Sequence, residues 1–426
     1  MRNEFGDRQC PTLTLITFIT FSHSHILTFS HPHILTFSHS HILTLLVPHR
    51  IIGIVCTSPG WGGLELNTLR LARWLCEAGW KVHLITSGNT PLHLYAADAA
   101  SSVQVFSEHG LPKKSARLRI MNAWIRRYKI RVLFVPFNKD ISAASLYKRF
   151  YDNDIGLVYQ QHMQVGVRKR DLIHTLRYAM IDVWIAPLQY LKAETLRLTH
   201  VKEKRIEVIP FGIETELFRA SSWDRDSARA ALSLPPDAWI IGVLGRLDPK
   251  KGQDLVIHAL KQLHDAGQKD YQVLLMGSTT IHEGDAFSKI LHDLVLEYGL
   301  EQHVHFRPYA DDVMVFYKSI DVFAMPSHGE TFGMVTVEAM AAGVPVVGTD
   351  RDGTRELLGE GRYGFLFERE DVAGCVSQIE AVRAHPKEKT VAARTYALTE
   401  FSHERMVARI GQVLNELLDE EPADSK

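Results

Sequence analysis

From residue 51 onward, short apolar runs alternate with longer stretches that place an apolar residue at every third or fourth position. The short runs fit strands buried on both faces, and the longer spacing fits helices packed by one face. Strands are expected at 51–55, 81–86, 131–136, 155–159 and 183–186. A helix is expected at 64–79, with Leu66, Leu69, Leu71, Ala72 and Leu75 inward. A second series has strands at 239–245, 272–277, 304–306, 322–325 and 344–348, with a helix at 254–263. Strand–helix alternation builds parallel sheets. The expected fold is therefore α/β, two Rossmann-like, doubly wound parallel-sheet domains with an interdomain cleft.

The expected division is a leader at 1–46, a first domain at 47–210 and a second at 211–402. A helix that packs back across the hinge and an acidic tail then fill 403–426. The linker is sought within 209–236, where Pro210, Gly212, Pro235 and Pro236 flank a polar stretch at 221–229.

The leader reads differently from the rest. Phe21-Ser-His-Ser-His-Ile-Leu-Thr28 returns at 29–36 and at 37–44, with Pro32 as the single change. So exact a repeat is low complexity, and it is expected to lie outside the fold, upstream of the true start. Its His-x-His pairs are metal-capable in type, but nothing fixes their geometry. The apolar run before them is too short to span a bilayer.

With 426 residues, 46% hydrophobic and 23% charged, the chain is long enough for two globular domains. A formal net charge of −1 leaves no overall footprint for nucleic acid. Cys10, Cys56, Cys76 and Cys375 are far apart, without C-x-x-C spacing, which suits reduced thiols and a cytoplasmic setting. The segment 113–131 carries eight Lys and Arg side chains with Leu118, Ile120, Trp124 and Ile125 among them. It reads either as a solvated helix face or as a peripheral contact with the inner face of a membrane.

Candidate chemistry sits at strand ends. Glu330 and Glu338 lie eight positions apart around Phe332-Gly333, the first in a loop and the second inside a helix. A strand end, a glycine and a helix N-terminus present free N–H groups to an anion, and the carboxylates accept from hydroxyls. Gly60-Trp61-Gly62-Gly63 joins the first strand to the first helix and admits a phosphate or simply makes a tight turn. It is not G-x-G-x-x-G, and Ser87-Gly88-Asn89 stands where a dinucleotide site wants an acidic residue. Arg246 and Lys251, in Gly245-Arg-Leu-Asp-Pro-Lys-Lys-Gly252, form a solvated basic loop or a clamp for a departing diphosphate. His162 follows a strand among Gln160, Gln161 and Gln164, at the expected cleft. Asp311 and Asp312 are adjacent and read as helix-capping residues rather than an Asp-x-Asp metal motif.

Together these residues resemble the retaining family 4 glycosyltransferases of the GT-B fold over about residues 47–415. The likeness is carried by Gly62-Gly63-Leu-Glu65, His162, Ile209-Pro-Phe-Gly-Ile-Glu214, the 245–252 loop, and Glu330/Glu338 with Gly343-Val-Pro-Val-Val. The resemblance implies that Gly62 and Gly63 approach the donor phosphates while Arg246 and Lys251 hold the diphosphate. It places Glu330 on the transferred sugar and Glu338 on the ribose. The backbone of Gly333, Met334 and Val335 would meet the sugar hydroxyls and phosphate, with His162 near the donor sugar. It implies transfer of a sugar from a nucleotide diphosphate-sugar to a glycan, lipid-linked or small-molecule hydroxyl by a front-face route, with no cofactor and no divalent metal. A GT-B sugar-nucleotide epimerase and a catalytically silent nucleotide-sugar binder are the alternatives.

Overall fold

The computed structural model describes residues 50–98, 104–108, 114–278, 286–385, 387 and 389–419. The leader lies outside these residues, as do Lys113 and the acidic tail from 420.

Two parallel sheets form the frame. The first takes β1 (Ile51–Cys56), β2 (Lys81–Ser87), β3 (Gln104–Glu108), β4 (Val132–Val135), β5 (Gly156–Gln160), β6 (Val183–Ala186) and β7 (Ile206–Val208), in the order β3-β2-β1-β4-β5-β6-β7. The second takes β8 (Trp239–Leu244), β9 (Tyr271–Met276), β10 (Val304–Arg307), β11 (Val322–Met325), β12 (Val346–Thr349) and β13 (Phe365–Phe367), in the order β10-β9-β8-β11-β12-β13. In each sheet the order reverses beside the first strand, which opens a crevice at the strand ends. The expected α/β fold with two Rossmann-like sheets is what the chain forms. β3, β7 and β13, all at sheet edges, are additional to the expected strands.

Successive residues of a strand supply opposite cores. In β8, Ile240 and Leu244 enter one hydrophobic cluster while Ile241 and Val243 enter another. The same holds in β1, where Ile52 and Ile54 face one side and Val55 the other. Helices therefore cover both faces, as a fully apolar strand requires.

The chain crosses between the domains twice, side by side. Ile213 N donates to Phe401 O at 2.8 Å, and His403 N donates to Ile213 O at 3.0 Å. Beyond that point the helix His403–Asp419 buries Met406, Ile410, Val413, Leu414 and Leu418 in the first domain's cluster beside Ile52, Leu75 and Trp80. Each such side chain contributes about 1.5–3 kcal/mol.

The basic segment resolves in favour of a solvated helix face. In the helix Lys114–Tyr128, Met121, Trp124 and Ile125 are buried in the first domain's core, while Arg119, Arg126 and Arg127 are exposed. The apolar stripe thus faces the sheet and is not available to a bilayer. No helix among the described residues is long and apolar enough to cross a membrane.

Candidate active site

The carboxylate of Glu330 sits in the loop between β11 and the helix Met334–Ala342, and it is 8% exposed. Its Oε1 accepts from Lys251 Nζ at 2.6 Å and from Ser327 Oγ at 2.6 Å. Lys251 ends a short 3₁₀ turn, Pro249–Lys251, capped by Asp248, whose Oδ1 accepts from Lys250 N at 2.9 Å. Gly252 follows at φ 68°, and a Cβ there would stand 2.3 Å from Pro326 O. Only glycine lets the Lys251 loop lie against the Glu330 loop this closely. His328 N donates to Lys250 O at 2.9 Å and holds the two loops together.

Gly333, at φ 92° and ψ 60°, turns the chain into the helix Met334–Ala342. This left-handed conformation favours glycine, and it leaves the first-turn N–H groups of Met334 and Val335 without helical partners. Val335 is tied by its carbonyl, which accepts from Tyr317 OH at 3.1 Å. About one turn into the helix, Glu338 is 9% exposed, and its Oε2 accepts from Tyr317 OH at 3.0 Å. Burial raises the Glu338 carboxyl above its ordinary range, partly offset by the Arg70 guanidinium of the first domain.

On the first-domain side, His162 follows β5 and is half-buried, its ring 4.6 Å from Phe211. Phe211 in turn lies edge-on to Phe332 at 5.1 Å, so an aromatic chain connects His162 to the residue before Gly333. Burial pushes the imidazole down to about 3, and the ring is neutral at physiological pH. Nε2 lies 3.2 Å from Gln160 Oε1. With Gln160 Oε1 assigned as the acceptor, the proton is assigned to Nε2 and Nδ1 is left as an acceptor. Gln161, which shares the loop, is structural: its Oε1 accepts from Trp184 Nε1 at 2.9 Å and Thr195 Oγ1 at 3.2 Å.

Gly62 and Gly63 open the helix Gly63–Glu77, and a Cβ on Gly63 would meet nothing within 4 Å. Glu65 behind them is buried and accepts from Ser58 Oγ, so it braces the glycine loop. Trp61, 40% exposed, stacks on Tyr95 at 4.5 Å. Arg246, on the same loop as Lys251, is half-exposed, with its guanidinium 3.8 Å from Asp248. Of the adjacent aspartates, Asp312 precedes the N-cap residue Val313; it accepts from Met314 N at 2.9 Å, and its other oxygen accepts from Trp223 Nε1 at 2.7 Å.

The structure thus joins Lys251 directly to Glu330, links His162 to them through two rings, and sets Glu338 deeper along the same helix. Ser327, Tyr190, Glu356 and Arg70 also surround the site and escaped the sequence reading. Ser327 carried a faint signal, three residues before Glu330; the others meet the site only through the fold. Among the described residues no three His, Cys, Asp or Glu side chains gather as a metal set.

Residues 61–217 match the family described as Glycosyltransferase Family 4, and residues 224–397 match Glycosyl transferases group 1. The chain is 30% identical over 205 residues to a D-inositol 3-phosphate glycosyltransferase of Saccharomonospora viridis, covering 47% of each chain. It therefore spans about half the length of that relative. A D-inositol 3-phosphate glycosyltransferase 1 of Catenulispora acidiphila is 27% identical over 378 residues, which cover 80% of this chain and 89% of that one. Among solved structures, Anabaena HepE in complex with UDP superposes with a TM-score of 0.75 at 21% identity, covering 86% of this chain and all (100%) of that one. A glycosyltransferase from Rickettsia africae gives 0.79 at 18%, covering 88% and 100%. Two family matches lie one after the other over most of the two sheets, and the chain belongs to the family 4 glycosyltransferases of the GT-B fold.

Proposed function

We propose that this protein transfers a glycosyl group from a nucleoside diphosphate-sugar to an acceptor hydroxyl, with retention of anomeric configuration. The observation that carries the reading is the Lys251–Glu330 pair, 2.6 Å apart, at the N-terminal mouth of the helix Met334–Ala342. A cation and free helix N–H groups suit a diphosphate whose charge grows as it leaves. Carboxylates at Glu330 and Glu338 suit the hydroxyls of sugar and ribose. Gly62 and Gly63 leave room for phosphate from the opposite domain. HepE binds UDP-glucose in one of its solved complexes, which agrees with this class of donor.

In the proposed reaction the acceptor oxygen bonds to the anomeric carbon on the face from which the diphosphate departs. The bond from that carbon to the phosphate oxygen breaks, and the acceptor proton passes to the leaving phosphate. Positioning and charge stabilisation do the catalysis. Lys251 and Arg246 neutralise the diphosphate, Glu330 orients the sugar, and neutral His162 accepts from a hydroxyl through Nδ1. No divalent ion takes part in this scheme. The family match favours transfer over epimerisation or silent binding.

Thermal shift of the full chain with UDP-, GDP-, ADP- and dTDP-sugars tests donor binding, since a ligand of the native state raises Tm by mass action. One nucleotide is expected to stabilise clearly, followed by acceptor-dependent nucleotide release unaffected by chelator. An inverted anomeric product, or turnover strictly dependent on added manganese or magnesium, contradicts the scheme.

A further inference from the structure

The hydroxyl of Tyr190 reaches from the first domain to the turn that carries Glu330. It lies 2.7 Å from Glu330 O and 2.8 Å from Thr331 O, sharing one proton between two carbonyls. From the second domain, Gly353 N donates to the same Glu330 carbonyl at 3.1 Å. A Cβ at Gly353 would stand 2.8 Å from Phe332 O and 2.9 Å from Glu330 O, so the close approach depends on glycine. The turn is gripped from both sides, once by its own domain and once by a phenol from the other.

Tyr190 is held by a reciprocal contact. It is the second residue of the helix Gln189–Leu198, whose N-cap residue is Leu188, a side chain that cannot accept a hydrogen bond. Glu356 of the second domain fills the role. Its Oε1 accepts from Gln189 N at 2.7 Å and its Oε2 from Tyr190 N at 2.9 Å. A carboxylate on the first free N–H groups satisfies them and sits at the positive end of the helix dipole. The second domain therefore completes this helix, and the helix in return holds the second domain's turn.

We propose that Tyr190 and Glu356 form an interdomain clasp that positions Glu330 for sugar transfer. Tyr190 is a positioning residue, acting through the backbone of the Glu330–Thr331 turn. The inference rests on the glycosyltransferase reading of the Glu330 site. It follows that the reactive geometry exists only while the two domains are docked. Small displacements are costly in such a site: about 1 Å of misplacement is worth roughly 10²-fold in rate. Burial pushes the Tyr190 phenol far above its ordinary range, so the hydroxyl remains a donor throughout the physiological range.

The test is Tyr190→Phe in the full chain, which keeps the ring and removes the hydroxyl. Turnover is read with the nucleotide-sugar that the UDP-, GDP-, ADP- and dTDP-sugar panel identifies. Hydrogen–deuterium exchange of the 328–336 amides is read without substrate. The expected result is a roughly tenfold lower kcat with donor KM within about twofold, and roughly tenfold faster exchange in that segment. Glu356→Gln, which keeps one accepting oxygen, is expected to fall between wild type and Glu356→Ala. The double variant Tyr190→Phe/Glu356→Ala is expected to lose no more than the worse single, because both act on one clasp. A folded Tyr190→Phe protein with wild-type exchange at 328–336, or with wild-type kcat, overturns the proposal. If wild type turns over none of the sugars, the reaction assignment fails, and the exchange result alone still decides whether the clasp holds the turn.

Discussion

Lys251 Nζ and Glu330 Oε1 meet at 2.6 Å although they belong to loops at the ends of different strands, β8 and β11. Their side chains are 30% and 10% exposed, a partly open ion pair. Lys251→Ala leaves the largely buried Glu330 carboxylate with Ser327 Oγ as a remaining donor, a loss of about 1–3 kcal/mol. Tm should therefore fall by a few degrees. Lys251→Ala is expected to lower kcat by about 10²–10³-fold, the range for loss of a donor that faces developing charge. Glu330→Gln should cost at least about tenfold, and the double variant little more than Lys251→Ala alone, because the two act as a unit. Steady-state kinetics beside a thermal melt checks this. A large Tm loss with proportionate activity loss would make the pair structural instead.

Acid sensitivity should come from two histidines held neutral. Burial pushes His162 down to about 3 and His83 to about 4 from an ordinary 6.5. His83 lies against Tyr128 at 4.2 Å, and neither ring nitrogen has a hydrogen-bond partner. Both groups bind fewer protons folded than unfolded, so stability rises with pH through this window. It is complete above about 6.5 and falls as pH drops toward 4. Tm measured from pH 8 to pH 4 should decline for wild type and decline less for His83→Phe and for His162→Gln. Parallel curves for all three would assign the acid limb to other groups.

The parts of the fold legible in the sequence are those where burial on both faces forces an apolar run, such as Ile240–Ile241–Gly242–Val243 within β8. β3, β7 and β13 escaped because they are three to five residues long, too short to show a strand's pattern. β3 reads Gln-Val-Phe-Ser-Glu, and β13 is a three-residue Phe-Leu-Phe. In the site, Glu330, Glu338 and Lys251 were visible because a strand, a glycine and a helix start are adjacent in sequence. Tyr190 was not, since the turn it binds lies 140 residues away. Residues 221–229 looked like a polar linker, yet they lead into the helix Arg225–Ala231 and include an arginine that is almost fully buried. Charge alone does not distinguish a solvated arginine from one whose donors are all satisfied inside.

Glu338 should trade stability for binding. Burial raises its carboxyl above 4.5, so the folded protein binds the proton more tightly than the unfolded chain does. Stability on this account is lost as pH rises through the folded value. Glu338→Gln keeps the shape and removes the buried charge, so its Tm should exceed wild type at pH 7–8, with the gap closing toward pH 4. Donor affinity should fall about tenfold, as expected when a charged acceptor for hydroxyls is lost. Paired melts and donor titrations test both halves. A lower Tm at pH 8 would show that the bond from Tyr317 outweighs desolvation.

Arg229 should prove to be the folding hub of the second domain, away from the chemistry. It is 1% exposed. Its Nε donates to Ser319 O at 2.9 Å, one terminal nitrogen to Pro236 O at 2.7 Å and Ala238 O at 2.8 Å, and the other to Asp321 Oδ2 at 2.7 Å. Asp321 Oδ2 also accepts from Ile240 N at 2.7 Å, so one ion pair fixes the starts of β8 and β11. Arg229→Ala leaves the carbonyls of Ser319, Pro236 and Ala238 without their donor, while the half-buried Asp321 keeps only Arg225 and Ile240 N, which together costs about 3–5 kcal/mol. In a domain of this size that is a Tm loss of roughly 10 °C. Arg229→Lys keeps the charge but not the planar fork, and should recover only part of the loss. Below its melt, Arg229→Lys should retain wild-type kcat, since the strand starts lie opposite the strand ends that carry Glu330 and Lys251. Urea melts showing less than about 1 kcal/mol lost in Arg229→Ala would mean that water enters and satisfies the cavity, and that the buried fork is not what holds β8 to β11.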